Sequence, residues 1–228
     1  MTVKTCIFDA YGTLFDVSAA ARQLSQESAF PELKFKWKNL ADTWRHKQLQ
    51  YTWLRAITDA HTDFWTVTKD GLDWALESMG LDRDSKLRQR LLDLYWELQA
   101  FPEVEEMLLA LKKLGKKNAI LSNGSPEMLS AAARSANIDH LLDDILSVES
   151  VGIFKPSPQV YGLVEKRFSC SKENVLFVSS NGWDAACASG YGFKTAWVNR
   201  ANEPVDRLPW EPVTIISSLE TLPEIANL

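Results

Sequence analysis

Between Thr13 and Phe101 the chain carries only two glycines (Gly71, Gly80) and one proline (Pro31), whereas both residues become frequent from Pro102 onward. A stretch so poor in helix breakers, with apolar residues at helical spacing, reads as a mainly helical block. Trp44, Leu49, Trp53 and Ile57, with Arg45, Lys47 and Arg55 between them, illustrate that spacing. Six of the nine tryptophans (Trp37, Trp44, Trp53, Trp65, Trp74, Trp96) fall in the same stretch. They offer enough apolar area for a compact helical subdomain.

On either side of the block the pattern changes to short apolar runs alternating with helical segments. The expected strands are Val3–Phe8, Asn118–Ser122, Ile145–Val148, Val175–Ser179, Thr195–Asn199 and Val213–Ser217. The helices between them are Glu103–Leu114, Glu127–Ala136, Pro158–Lys166 and Asp184–Ser189. Near-continuous apolar strands separated by helices indicate a parallel sheet covered on both faces. The expected fold is α/β, a doubly wound parallel sheet of Rossmann-like type. Residues 1–15 and 98–228 form its core domain, and residues 16–97 form an inserted helical domain.

Composition narrows the function classes. Lys and Arg total 25 against 30 Asp and Glu, a net charge of −5. That balance argues against nucleic acid or an anionic membrane as partner. No apolar stretch approaches the ~18 residues of a membrane span. The opening residues Met1 to Asp9 turn acidic too soon for a secretory signal. Cys6, Cys170 and Cys187 are odd in number and far apart, which disfavours disulfides and thiolate zinc sites. A cytoplasmic protein is expected.

In doubly wound sheets ligands bind beyond the carboxyl ends of the strands, and four strand ends here carry unusual polar groups. They read Phe8-Asp9-Ala10-Tyr11-Gly12-Thr13, Leu121-Ser122-Asn123-Gly124-Ser125, Gly152-Ile153-Phe154-Lys155-Pro156 and Val178-Ser179-Ser180-Asn181-Gly182-Trp183-Asp184. Each has an ordinary explanation alone: Asp9 and Asp184 as caps, Ser122-Asn123-Gly124 as a turn, Lys155 as a solvated loop lysine. Four of them on one edge of a parallel sheet point instead to a single small site holding Asp9, Ser122, Lys155 and Asp184.

Together these motifs resemble the haloacid dehalogenase superfamily over the whole chain, with a helical cap inserted after the first motif. Asp9-Ala10-Tyr11-Gly12-Thr13, the cap stretch from Trp44-Arg45 to Leu54-Arg55, Ser122-Asn123-Gly124-Ser125 and Ser179 through Asp184 resemble the L-2-haloacid dehalogenases in particular. The resemblance implies a metal-free, cofactor-free homodimeric hydrolase whose partners are a small 2-haloacid, water and halide. His46 stands where the family carries glutamine, and Gly182 where it carries alanine.

Most superfamily members are magnesium phosphatases, with a second aspartate two residues after the nucleophile that protonates the leaving alkoxide. Here that position is Tyr11. A halide leaves as a stable anion and needs no proton. The acidic position four residues before Asp184 is Ser180, which removes an oxygen ligand suited to magnesium. The residues thus favour a dehalogenase over a phosphatase, and the intact Asp9, Lys155 and Asp184 weigh against a silent acid- or halide-binding protein.

By resemblance, Asp9 attacks C2 of an L-2-haloalkanoate and forms an ester with inversion. Arg45, Asn123 and the Trp183 indole receive the halide, while Ser122 holds the substrate carboxylate. Lys155 keeps Asp9 ionised. Asp184, assisted by Ser179 and Asn181, orients or activates the hydrolytic water. Thr13 and Tyr11 line the site, and Tyr161 joins the substrate-binding set. Leu49, Phe64 and Trp183 are expected as apolar cap residues that exclude solvent.

Overall fold

Six strands form one parallel sheet in the order β3-β2-β1-β4-β5-β6 in a computed structural model that describes residues 2–227. Met1 and Leu228, the ends of the expected core domain, lie outside the described residues. The strands are β1 (Thr5–Phe8), β2 (Lys117–Ser122), β3 (Asp144–Ser147), β4 (Val175–Ser179), β5 (Lys194–Val198) and β6 (Thr214–Ile216). Each lies within two residues of its expected position. β1 and β4 are buried along their whole length, as apolar strands covered on both faces must be.

The strand order runs outward from β1 in both directions, through β2 to β3 and through β4 to β6. The carboxyl ends of β1, β2 and β4 therefore open side by side at the point where the order reverses. The sheet is flanked by α5 (Val104–Lys113), α6 (Pro126–Ser135), α7 (Pro158–Phe168) and α8 (Gly182–Tyr191). A short α9 (Leu222–Asn227), outside the sequence expectation, packs on α5. Ser125 caps α6 through the Met128 N–H, followed by Pro126 in the first turn, a sequence signal of a helix start.

The chain leaves and re-enters the sheet layer along adjacent paths. Asp16 donates its N–H to Gln99 O and Phe101 donates to Leu14 O, at 2.9 Å each. Between these crossings lie α1 (Ala19–Leu24), α2 (Leu33–Ile57), α3 (Phe64–Ser78) and α4 (Ser85–Trp96), packed on one another. Asp63 and Asp84 cap α3 and α4 with their side chains.

The buried face of α2 differs from the expected one. Leu40, Trp44, Gln48 and Thr52 point inward, whereas Ile57 is 82% exposed. The cause is what each face meets: Trp44 and Gln48 bond to Thr68 of α3, whereas Trp53 turns to Trp183 of α8. Phe35 and Ile57 near the two ends of α2 are exposed, while Leu33 at its start is buried. The tryptophans also form less of the interior than expected. Trp44 is buried, Trp74 is 40% exposed, and leucines 72, 76, 87 and 91 fill the space between helices. Among the described residues no helix is long and apolar enough to cross a membrane.

Candidate active site

Asp9 is the first residue beyond β1, its N–H still bonded to Val178 O of the neighbouring strand at 2.8 Å. The chain then turns at Gly12, whose φ of +87° suits a residue without a Cβ. An added Cβ there would also lie 2.9 Å from Ser180 Oγ. The turn brings Thr13 Oγ1 to 3.5 Å from Asp9 Oδ2 and lets it accept the Ser180 N–H at 2.8 Å. The loops after β1 and β4 are thus tied together beneath the carboxylate.

Lys155 enters from the loop between β3 and α7. It is 1% exposed, far from a solvated loop lysine. Its Nζ donates to Asp9 Oδ1 at 3.0 Å and to Asp184 Oδ2 at 2.9 Å, and lies 4.9 Å from the Phe177 ring centroid. Its backbone N–H donates to Asn123 Oδ1 at 2.9 Å. That bond orients the Asn123 amide, leaving its NH₂ as the donor end.

Asp184 lies in the first turn of α8, but it does not cap the helix. Asn181 holds the N-cap position, and the Asp184 oxygens go to Lys155 and to the Tyr161 hydroxyl, the latter at 2.7 Å. Asn181 is placed by its N–H bond to Ser179 Oγ at 3.1 Å. Its side chain spans the site, with Nδ2 donating to Asp9 Oδ2 at 3.0 Å and Oδ1 accepting from Arg45 at 3.4 Å. The Arg45 guanidinium descends from α2 and also donates to Tyr11 O at 3.0 Å. No carboxylate pairs with it among the described residues.

Burial and charge oppose one another in this cluster. Burial alone would pull the Lys155 ammonium down, but Asp184 and Asp9 outweigh it and hold its pKa above the ordinary lysine value. Burial pushes Asp184 up, against the lowering effect of Lys155, and Asp9 adds to the rise. Burial also lifts Tyr11 well above an ordinary phenol.

Asp9, Tyr11, Arg45, Leu49, Phe64, Ser122, Asn123, Lys155, Asn181 and Trp183 enclose a narrow cavity of about 10 Å³. That is room for about one water molecule, so the cap stands closed over Asp9. Tyr11 stacks on Phe64 with centroids 5.5 Å apart, and Trp183 meets Trp53 of α2 edge-on at 5.4 Å.

Two expectations change. Trp183 is not a cap residue: it stands at the start of α8, on the sheet side, and meets the cap through Trp53. Tyr161 does not line the cavity. It lies behind Asp184 because α7 packs on α8, and its hydroxyl serves that carboxylate. Several supporting groups had no motif to announce them. The Trp197 indole holds Ser180 O at 3.0 Å, Arg200 holds Thr13 O at 3.2 Å, and Ser147 holds Gly124 O at 2.7 Å.

Comparison with known proteins agrees with this geometry. The family model of haloacid dehalogenase-like hydrolases matches residues 3–192. (S)-2-haloacid dehalogenase 1 of Pseudomonas sp. (strain CBS-3) is 40% identical over 223 residues, 98% of this chain and 96% of the relative. A dehalogenase solved with an intermediate complex superposes with a TM-score of 0.92 at 36% identity, covering 100% of this chain and 98% of the other. The L-2-haloacid dehalogenase of Xanthobacter autotrophicus with chloropropionic acid covalently bound gives 0.86 at 33% identity, covering 98% of each chain. The chain therefore belongs to the haloacid dehalogenase-like hydrolases, in the company of the (S)-2-haloacid dehalogenases.

Proposed function

We propose that this protein hydrolyses L-2-haloalkanoic acids to D-2-hydroxyalkanoic acids and halide through an ester on Asp9. One observation carries the reading. Asp9 is held between Lys155 and Asn181 at the base of a small cavity, and the position for a leaving-group acid is a phenol, Tyr11, raised far above neutrality. A group so reluctant to release its proton is a poor general acid at neutral pH. Displacement of halide needs none.

In the first step a carboxylate oxygen of Asp9 attacks C2 from behind, the C–O bond forms, and halide departs with the bonding pair. Arg45, the Asn123 NH₂ and the Trp183 indole offer donors to the departing anion. Ser122 and nearby backbone hold the substrate carboxylate. Water then adds to the ester carbonyl carbon of Asp9. Asp184 accepts its proton, and Lys155 steadies the oxyanion. Collapse expels the 2-hydroxyacid, whose alkoxide takes that proton, and the second proton of the water leaves Asp9 for solvent, restoring its carboxylate. Thr13, Asn181 and Ser179 keep Asp9 aimed, and Tyr161 keeps Asp184 in place.

Residues 16–97 serve as a cap over residues 1–15 and 98–228. Leu49 and Phe64 from the cap line the cavity together with Trp183 from the sheet side and exclude water from a nucleophile that hydration would weaken. Phosphatases of this fold class use magnesium, and the donors here do not suit it. A buried ammonium already bridges the two carboxylates, and positions 11 and 180 supply a phenol and a hydroxyl. Among the described residues no three His, Cys, Asp or Glu side chains converge to hold a metal ion. The exposed Phe35, Leu54 and Ile57 along α2 support a homodimer, and the free cysteines support a cytoplasmic setting.

Purified enzyme given (S)-2-chloropropionate in excess chelator is expected to release chloride and D-lactate, with no gain from added magnesium. The (R)-enantiomer should be untouched, since one fixed carboxylate attacks from one side. Equal turnover of both enantiomers, or activity restored only by magnesium, rejects the reading. Arg45→Ala should slow halide release by about 10²–10³. Arg45→Lys should recover little, because the planar fork that reaches Tyr11 O, Asn181 and Gln48 is lost. A near-normal Arg45→Ala enzyme makes this arginine merely structural.

A further inference from the structure

Gln48 is only 1% exposed, and three cap helices meet at its amide. It follows Arg45 by three residues on α2, so the two side chains share a face. Its Oε1 accepts from Arg45 Nη1 at 3.2 Å. Its Nε2 donates to Thr68 Oγ1 of α3 at 2.7 Å and to the Tyr95 hydroxyl of α4 at 3.0 Å. Tyr95 OH also lies 3.4 Å from Oε1. Gly71 of α3 makes the approach possible, since an added Cβ there would stand 3.2 Å from the Gln48 backbone nitrogen.

The bonding admits one orientation of the amide. Thr68 spends its hydroxyl proton on Phe64 O at 2.7 Å, so its oxygen can only accept. Arg45 can only donate. An amide turned over would set oxygen against oxygen at Thr68 and NH₂ against the guanidinium. Both ends of the side chain therefore demand Oε1 toward Arg45. On its far side the guanidinium is held through Nη2 alone, by Tyr11 O and Asn181 Oδ1. Without Gln48 it could pivot about that nitrogen.

We propose that Gln48 is a positioning residue that aims the Arg45 guanidinium at the departing halide from a lock inside the cap. It is absent from the residues around the cavity and acts on the reaction only through Arg45. The inference rests on the function proposed above and extends it to a residue without substrate contact.

The test is a single turnover with enzyme in excess over (S)-2-chloropropionate, following chloride release for ester formation and lactate release for ester hydrolysis. Gln48→Met keeps length and bulk but loses the acceptor. It should slow ester formation about tenfold, the scale of one hydrogen bond to a charged group, and leave ester hydrolysis unchanged. Added to Arg45→Ala, Gln48→Met should cost nothing more, because its route to the reaction is already gone. Where Gln48→Met does not fold, Tyr95→Phe removes one partner of the lock and should slow ester formation alone, by a smaller factor. Unchanged ester formation in these variants overturns the proposal. So does an equal further loss in the Arg45→Ala background, which marks a merely structural residue. A parent enzyme that releases no chloride fails before any substitution, and refutes the underlying function instead.

Discussion

Asp9→Asn is expected to lose turnover by on the order of 10⁴–10⁶, the scale seen when a covalent nucleophile is removed. The fold should survive, because the amide still fills the site between Lys155 and Asn181. A neutral amide oxygen cannot displace halide at a comparable rate. Oxygen labelling separates this role from direct attack by water. If Asp9 forms the ester, the oxygen arriving on C2 comes from the enzyme, and solvent oxygen enters the protein when water cleaves the ester. With enzyme in excess in ¹⁸O-water, first-turnover hydroxyacid should be unlabelled at its hydroxyl. Label should appear on Asp9, and fragment-ion mass spectrometry must distinguish it from Asp16, which lies close by in sequence. Attack by water, with Asp184 as base, instead labels the product at once and the protein never. First-turnover product carrying solvent oxygen ends the nucleophile assignment.

Lys155→Met should be the most damaging change that spares the nucleophile itself. It leaves Asp9 and Asp184 buried without their shared cation, and breaking one side of a buried ionic set costs about 3–5 kcal/mol. Loss of the cation near the ester oxyanion should slow ester hydrolysis by a further 10²–10³ or so. The stability loss has a predictable pH dependence. Lys155 has its folded pKa raised. Its contribution is therefore complete below the unfolded lysine value, near 10.4, and disappears only as pH rises through the folded one. Asp184 sets the acidic side. Burial already raises Asp184, and losing Lys155 raises it further. A carboxyl group with a raised folded pKa costs stability as pH climbs from its unfolded value, near 3.9, toward its folded one. The variant should therefore lie closest to the parent at low pH and fall away toward neutrality. Melting curves of both proteins between acid and neutral pH measure this. A gap that stays constant, or widens on acidification, contradicts the ion-pair account.

The chemistry-bearing groups of the site were legible along the chain because of how a parallel sheet is built. Every strand of such a sheet points its carboxyl end to the same edge, so Asp9, Ser122 and Asn181 need only follow apolar runs to be brought together. Lys155 sits in a loop, yet its strand ends on that edge too. The start of α6, expected at Glu127 and found at Pro126, is set locally, because the Ser125 cap satisfies its bond within a few residues. Tyr11 and Ser180 identified the chemistry because a missing acid and a missing ligand are matters of residue type.

What surrounds those groups depended on the tertiary structure. Helical spacing marks α2 as amphipathic, but packing on α3 and α4 buries the polar Gln48 beside Trp44 and leaves Ile57 exposed. From residue type alone Trp183 reads as cover and Tyr161 as a substrate contact. The packing of α8 against the cap and against α7 made one a sheet-side wall and the other a support for Asp184. Gln48 carries no motif, and its role exists only where α2, α3 and α4 converge on one amide. Residue type and strand direction are local properties that a sequence determines by itself. Which buried hydrogen bonds close, and on which side of a cavity a ring stands, follows from how whole helices share space, which no local spacing encodes.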